Sequence, residues 1–169
     1  DYLHAEDLTI LVSFARSGNS PESIAAVEVA NKLVKNLYHI TITCAKEGAL
    51  AKAAVDDEKN LLLLQPDRSN DGGFAMTGSF TCMTLTALFV FDQATIEEKR
   101  SHVKGISQLG EEVIKREAEI QKIVDLDFER IVYVGSGSLA GLTRESQLKI
   151  LELTAGKIAT VFYSSMGFR

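Results

Sequence analysis

The sequence predicts an α/β fold in which a parallel sheet is flanked by helices on both faces in the doubly wound manner, and three observations carry that expectation. Short runs of apolar and β-branched residues alternate with segments whose apolar positions recur at spacings of three and four. Two of the runs pass directly into Gly- and Ser-containing loops, SGNS at 17–20 and GSGS at 135–138, and then into helical patterns. The chain of 169 residues is 46% hydrophobic and holds only two prolines, which suits a folded chain with a core rather than a disordered one. Strands joined through helices pair in parallel with right-handed crossovers. Ligands in such folds gather beyond the carboxyl ends of the strands.

Leu8 to Phe14 is nearly all apolar or β-branched and too short for a stable helix, so it reads as a fully buried strand. Ser17, Gly18, Asn19 and Ser20 follow, then Pro21, whose missing N–H suits the first turn of a helix with Ser20 as N-cap. Ala26, Val27, Ala30, Leu33, Val34 and Leu37 then give that helix one apolar face. Tyr38 to Thr43 is a second strand, Gly48 to Val55 a short helix, and Leu61 to Leu64 a third strand. Residues 66–73, PDRSNDGG, form a loop, and Phe74 to Phe91 reads as a largely buried helix.

From Thr95 to about Asp125 the composition turns to Glu, Lys, Arg and Gln, with a narrow apolar stripe of Val103, Ile106, Leu109, Val113, Ile120 and Val124. This is expected to be a connecting helix, broken near Gly105 or Gly110, whose charges form a solvated face. Arg130 to Val134 starts a fresh strand, followed by GSGSLAG, a helix from about Leu142 to Thr154 and a strand near Ile158 to Tyr163. The expected organisation is a first domain over 1–93, a connecting helical segment over 94–127 and the start of a second domain over 128–169.

Charge and composition exclude several classes of function. A net charge of −5 argues against general affinity for nucleic acid or for an anionic membrane. No run of eighteen apolar residues exists, and the opening DYLHAED does not resemble a signal peptide, so the expected location is the cytoplasm. Cys44 and Cys82 lie in apolar segments without metal-ligand spacing and are expected as buried thiols. No metal and no cofactor are expected.

The loop at 17–20 brings serine hydroxyls, backbone N–H groups and the positive end of a helix dipole to one place, a combination that favours a phosphate. An ordinary helix start has the same composition, and the loop alone supports either reading. It has neither the Lys of a phosphate-binding P-loop nor the glycine spacing of a dinucleotide fingerprint. Gly135 to Gly141 has part of that spacing, but no acidic residue ends a following strand where a ribose contact would require it, so a nucleotide is rejected. Glu145, Lys149 and Glu152 fall at i, i+4 and i+7 of one helix face. The spacing by itself favours a solvent-exposed Glu to Lys pair over a carboxylate base in a pocket.

The segments FARSGNSPESIAAVE, FAMTGSFTCMTLTALFVF, VYVGSGSLAGLTRESQLKILELTAGKI and the closing SSMGFR resemble, in that order, the sugar isomerase (SIS) domain proteins, nearest the bacterial tagatose-6-phosphate ketose/aldose isomerase-like group. That group is also linked to amino-sugar-phosphate isomerisation with deamination. The resemblance implies tandem SIS domains and a hexose or hexosamine 6-phosphate as ligand. It makes Ser17, Gly18, Asn19 and Ser20 the phosphate loop, Thr77 a sugar contact, Glu152 the carboxylate that moves a proton between C1 and C2, and Glu145 and Lys149 supporting polar residues. Met76 stands where related isomerases often carry a second hydroxyl, and Arg16 where the amidotransferase-linked members carry glutamine. The family implies a homodimer or higher oligomer with shared active sites.

Family members have an earlier strand with a GxGTS-like loop and continue past this point into a His-Gly-Pro segment, so the resemblance implies an internal fragment, marginal in its second part and inactive alone. The alternative function is a SIS module that senses sugar phosphate without catalysis. Glu152 and the tandem arrangement favour the enzyme.

Overall fold

The computed structural model describes residues 3–168, and the chain divides into two compact units at Gln93 and Ala94. The first unit runs β1 (Leu8–Ala15), α1 (Pro21–Leu33), β2 (Asn36–Thr43), α2 (Ala49–Val55), β3 (Asn60–Leu64), a 3₁₀ turn at Asp67–Ser69 and α3 (Thr77–Phe91). Its strands are parallel in the order β1-β2-β3, with Leu8 opposite Asn36, Ala15 opposite Thr43 and Thr43 opposite Leu64. The centre belongs to β2, which reads as β-branched residues throughout its second half and is buried continuously from His39 to Thr43. Its buried polar groups are paired. His39 Nε2 meets Asn31 Oδ1 of α1 at 3.0 Å, and Thr41 Oγ1 donates to Asn60 Oδ1 at 3.0 Å.

Alternation of side chains along the strands assigns the two faces. Leu11, Leu37 and His39 share the face on which α1 packs, where Ala30, Val34 and Leu37 form a core cluster with Leu3 and Leu11 against it. Cys44 and Gln65 share the opposite face, where Ser69 Oγ donates to Cys44 Sγ and Thr86 Oγ1 of α3 donates to Gln65 Oε1. Helices therefore flank the sheet on both sides, as the alternation of elements predicts.

Leu8–Ala15 is not a fully buried strand: as an edge of the sheet it leaves Leu8, Ile10 and Phe14 exposed, and β2 takes the central place instead. The first helix stops at Leu33. Val34 takes extended dihedrals and the amide of Lys35 goes to Ala5 O, so Val34 and Leu37 join the cluster from a turn and a strand rather than from a helix face. α3 is not largely buried. Ser79 is its one fully buried residue among those described, and Phe80, Leu88 and Phe91 face outward because the short sheet covers only one side of the helix. Cys44 is buried as expected, whereas Cys82 is only half-buried.

The second unit runs α4 (Ile96–Lys115), α5 (Glu117–Val124), β4 (Arg130–Val134), a 3₁₀ turn at Gly137–Leu139, α6 (Ala140–Leu153) and β5 (Ala159–Tyr163), with β4 and β5 parallel and α6 packed on both. Thr95 starts α4 with a reciprocal capping box to Glu98, which satisfies free N–H groups at the helix start. The helix breaks at Arg116 rather than at Gly105 or Gly110. Both glycines stay helical in open space, while Arg116 leaves helical geometry and its guanidinium pairs with Glu119 in the next turn. The stripe Val103, Ile106, Leu109, Val113, Ile120 and Val124 is exposed among the described residues. Among the described residues no helix is long and apolar enough to cross a membrane.

Candidate functional site

The first Gly/Ser loop grows out of the carboxyl end of β1. Arg16 O accepts the Cys44 N–H at 3.2 Å, which carries the pairing with β2 one step past the strand. Gly18 then turns the chain at φ +65°, a conformation that favours glycine. Its carbonyl accepts the Leu50 N–H at 3.1 Å and Asn19 Oδ1 accepts the Ala49 N–H at 2.9 Å, so the loop lies against the start of α2. The Asn19 N–H is taken up by Ser17 Oγ at 3.3 Å.

Ser20 holds the N-cap position of α1 and Pro21 the first turn, as the sequence predicts, but the Ser20 hydroxyl makes no capping hydrogen bond. An exposed hydroxyl and the uncapped amides of Glu22 and Ser23 therefore sit together at the positive end of a thirteen-residue helix. That arrangement can receive an anion without displacing any capping bond.

Thr77 is the first residue of α3 and is exposed. The capping of this helix comes from a residue that sequence reasoning missed. Asp71 accepts the Gly78 N–H at 3.1 Å, the Ser79 N–H at 2.7 Å and the Ser79 hydroxyl at 2.7 Å. Those bonds to Ser79, then the one from Gly78 and the nearby Arg16 charge, hold the Asp71 carboxyl below its ordinary range against a smaller opposing effect of burial. Arg16 completes the network: its Nη1 donates to Asn70 Oδ1 at 3.0 Å and to Asp71 O at 3.1 Å. No sequence signal marks Asp71, because it precedes the amides it caps by seven and eight residues, well outside the one-turn spacing of an ordinary N-cap.

A depressed carboxyl favours folding in its ionised form, so the Asp71 contribution is present at pH values above its unfolded value and lost as pH falls through the lower folded one. The stability advantage of wild type over Asp71→Asn should accordingly be full near neutral pH and shrink on acidification through the carboxylate range. Urea melts of both proteins from pH 7 to pH 3 measure it, and a pH-independent gap would contradict the assignment.

In the second unit Glu145, Lys149 and Glu152 are brought together on α6. Lys149 Nζ lies 2.9 Å from Glu152 Oε2 and 3.3 Å from Glu145 Oε1, and all three side chains are about one-third exposed. The Glu152 bond first, and the Glu145 contact after it, raise the Lys149 pKa over the opposing effect of burial. This is more than a solvated Glu to Lys pair: one ammonium is shared by two half-buried carboxylates. The GSGS loop, by contrast, is tied to the end of β5 and the residues just after it. Gly135 donates to Tyr163 O at 3.0 Å, Ser136 Oγ accepts the Ser165 N–H at 2.8 Å, and a Cβ on Gly135 would meet Thr143 Cγ2 at 2.5 Å. Among the described residues no group of three or more His, Cys, Asp or Glu side chains is arranged to hold a metal ion.

No family model matches the chain. A D-galactosamine-6-phosphate deaminase AgaS of Escherichia coli is 43% identical over 171 residues, which take in all of this chain and 44% of the relative. The crystal structure of a candidate tagatose-6-phosphate ketose/aldose isomerase from Clostridium novyi NT is 48% identical with a TM-score of 0.94, over 99% of this chain and 43% of that one. The tagatose-6-phosphate ketose/aldose isomerase of Escherichia coli is 44% identical with a TM-score of 0.80, over 100% of this chain and 46% of its own. The chain thus spans less than half the length of the relatives it matches. The alignments run along nearly the whole chain, which is similar in sequence and fold to these AgaS and tagatose-6-phosphate ketose/aldose isomerase proteins.

Proposed function

We propose that the protein to which this chain belongs is a ketose/aldose-type sugar-phosphate isomerase acting on a hexose or hexosamine 6-phosphate of the tagatose or galactosamine series, with release of ammonia when the substrate carries an amino group. The observation that carries this reading is identity above 40%, along the whole chain, to relatives named for those two activities. The uncapped start of α1 supports Ser17, Gly18, Asn19 and Ser20 as the phosphate loop, with the Ser20 hydroxyl and the first-turn amides as donors. Thr77 is the sugar contact. Glu152 is the proton-transfer group and Glu145 and Lys149 support it through the shared ion pair. A carboxylate held by a lysine favours catalysis over mere sensing, because binding a sugar phosphate needs no base. We assign the protein to the cytoplasm as a homodimer or higher oligomer that needs no cofactor.

The test is turnover by the full-length protein on a panel of hexose and hexosamine 6-phosphates, with ketose formation and ammonia release measured separately. Binding of several of these without conversion of any would favour the sensing module instead. Within the same reading, Thr77→Val should weaken sugar-phosphate binding by up to about tenfold, the worth of one good hydrogen bond. Its melting temperature should change little, since Thr77 is exposed. A large loss of stability with unchanged kinetics would assign Thr77 to the architecture of α3.

A further inference from the structure

Arg16 immediately precedes the phosphate loop in the chain, yet its side chain points into the network that caps α3. Its carbonyl is fixed by Cys44 N–H and by Thr43 Oγ1 at 3.4 Å, so the backbone is anchored to the centre of the sheet. Its Nη1 carries two bonds, to the Asn70 side chain and the Asp71 carbonyl, and the Asp71 carboxylate in turn holds the Gly78 and Ser79 amides. Ser79 is 1% exposed, which makes the far end of this connection rigid. Gly78 is shaped for it as well: a Cβ there would stand 2.9 Å from Asp71 Oδ1. One residue before Gly78 comes Thr77, and one residue after Arg16 comes Ser17. Two loops that leave different strands are thereby joined by a strut whose ends lie one residue from the phosphate loop and one residue from the sugar contact.

We propose that Arg16 and Asp71 form a positioning strut that fixes the start of α3 relative to the loop at 17–20, so that the sugar of a bound hexose phosphate meets Thr77 while its phosphate is held at Ser17 and Ser20. The inference rests on the sugar-phosphate reading of the site. Arg16 acts here through Asp71 and not on the ligand. Breaking the strut therefore leaves the phosphate subsite intact and removes the part of the affinity that the sugar supplies. The network also gives a reason for arginine at this position: one nitrogen serves a side-chain amide and a carbonyl 3.0 and 3.1 Å away, a span suited to a planar, always charged donor.

The experiment uses the full-length protein as wild type, Arg16→Met, Asp71→Asn and the double variant, with calorimetric titration of inorganic phosphate and of galactosamine 6-phosphate and amide hydrogen exchange at Gly78 and Ser79. Each single variant should keep phosphate affinity within about twofold and lose about tenfold or more for the sugar phosphate, the scale of one or two hydrogen bonds. The double variant should lose no more than the worse single, because both changes break one strut. Exchange at Gly78 and Ser79 should quicken in Arg16→Met without ligand. Arg16→Lys, which keeps a donor and the charge, should recover part of the sugar-phosphate affinity. An equal loss for both ligands would overturn the proposal by making Arg16 a phosphate contact, and unchanged exchange in Arg16→Met would overturn it by showing no strut. If wild type binds neither ligand, the sugar-phosphate reading itself falls and the positioning role with it, whatever the exchange shows about the network.

Discussion

Glu152→Gln in the full-length protein should lower kcat by roughly 10²- to 10⁴-fold while sugar-phosphate affinity changes little. Moving a proton between adjacent carbons of an open-chain sugar phosphate passes through an enediol-like state, and a carboxylate held over both carbons provides the acceptor and then the donor. Under the proposed function Glu152 takes that role, and its Oε2 lies 2.9 Å from Lys149 Nζ. Glutamine has the same shape and its amide oxygen can still accept from Lys149, but it cannot take up a proton. Lys149 also keeps Glu145 at 3.3 Å, so the substitution leaves no cation alone on α6. Because these side chains are about one-third exposed, the loss of the ion pair should cost only a few tenths of a kcal/mol, up to about 1. Melting temperature and kcat should therefore separate. Full activity in Glu152→Gln would remove this residue from the chemistry, and a collapse of both quantities together would make it structural.

What could be read from the residues alone follows the range of the interactions that decide each feature. The order of strands and helices was legible because each depends on a periodicity of two or of three to four within a single segment. The placement of Leu8–Ala15 at an edge was not. An apolar run looks the same whether its strand ends in the middle of a sheet or at its side, and only the pairing of β2 with both neighbours decides it. The end of α1 was misread for a related reason: Val34 and Leu37 keep the helical spacing by coincidence while belonging to a turn and a strand. At the site, the Ser20 and Pro21 signature located the start of α1, since capping is a matter of adjacent residues. Arg16 to Asp71 spans 55 positions, and no local pattern announces a bond of that separation. The trio on α6 was visible as spacing, but its half-burial was not, because burial is conferred by the packing of α6 on β4 and β5.

Gly48→Ala should be the most damaging small substitution in the first unit. Gly48 precedes α2 with φ −68° and ψ 152°, dihedrals that any residue adopts, so backbone conformation does not require glycine here. Space does. A Cβ at this position would lie 2.2 Å from Ser17 O and 3.1 Å from Ala45 O, both of them main-chain atoms that cannot swing aside as a side chain would. Relief requires the loop at 17–20 to move off α2 by about 1 Å, which also strains the bonds from Leu50 N–H to Gly18 O and from Ala49 N–H to Asn19 Oδ1. Crowding of this kind costs about 1–3 kcal/mol. A displacement of about 1 Å in a binding group can lower the rate by about 10²-fold, so kcat/KM for the sugar phosphate should fall on that scale along with the melting temperature. Gly105→Ala is the matched control: nothing lies within 4 Å of its would-be Cβ, and it sits inside α4. It should stabilise the protein by up to about 1 kcal/mol through helix propensity and leave turnover unchanged. If Gly48→Ala behaves like that control, the loop does not rest on α2 as described, and the anion site drawn from its geometry loses its support.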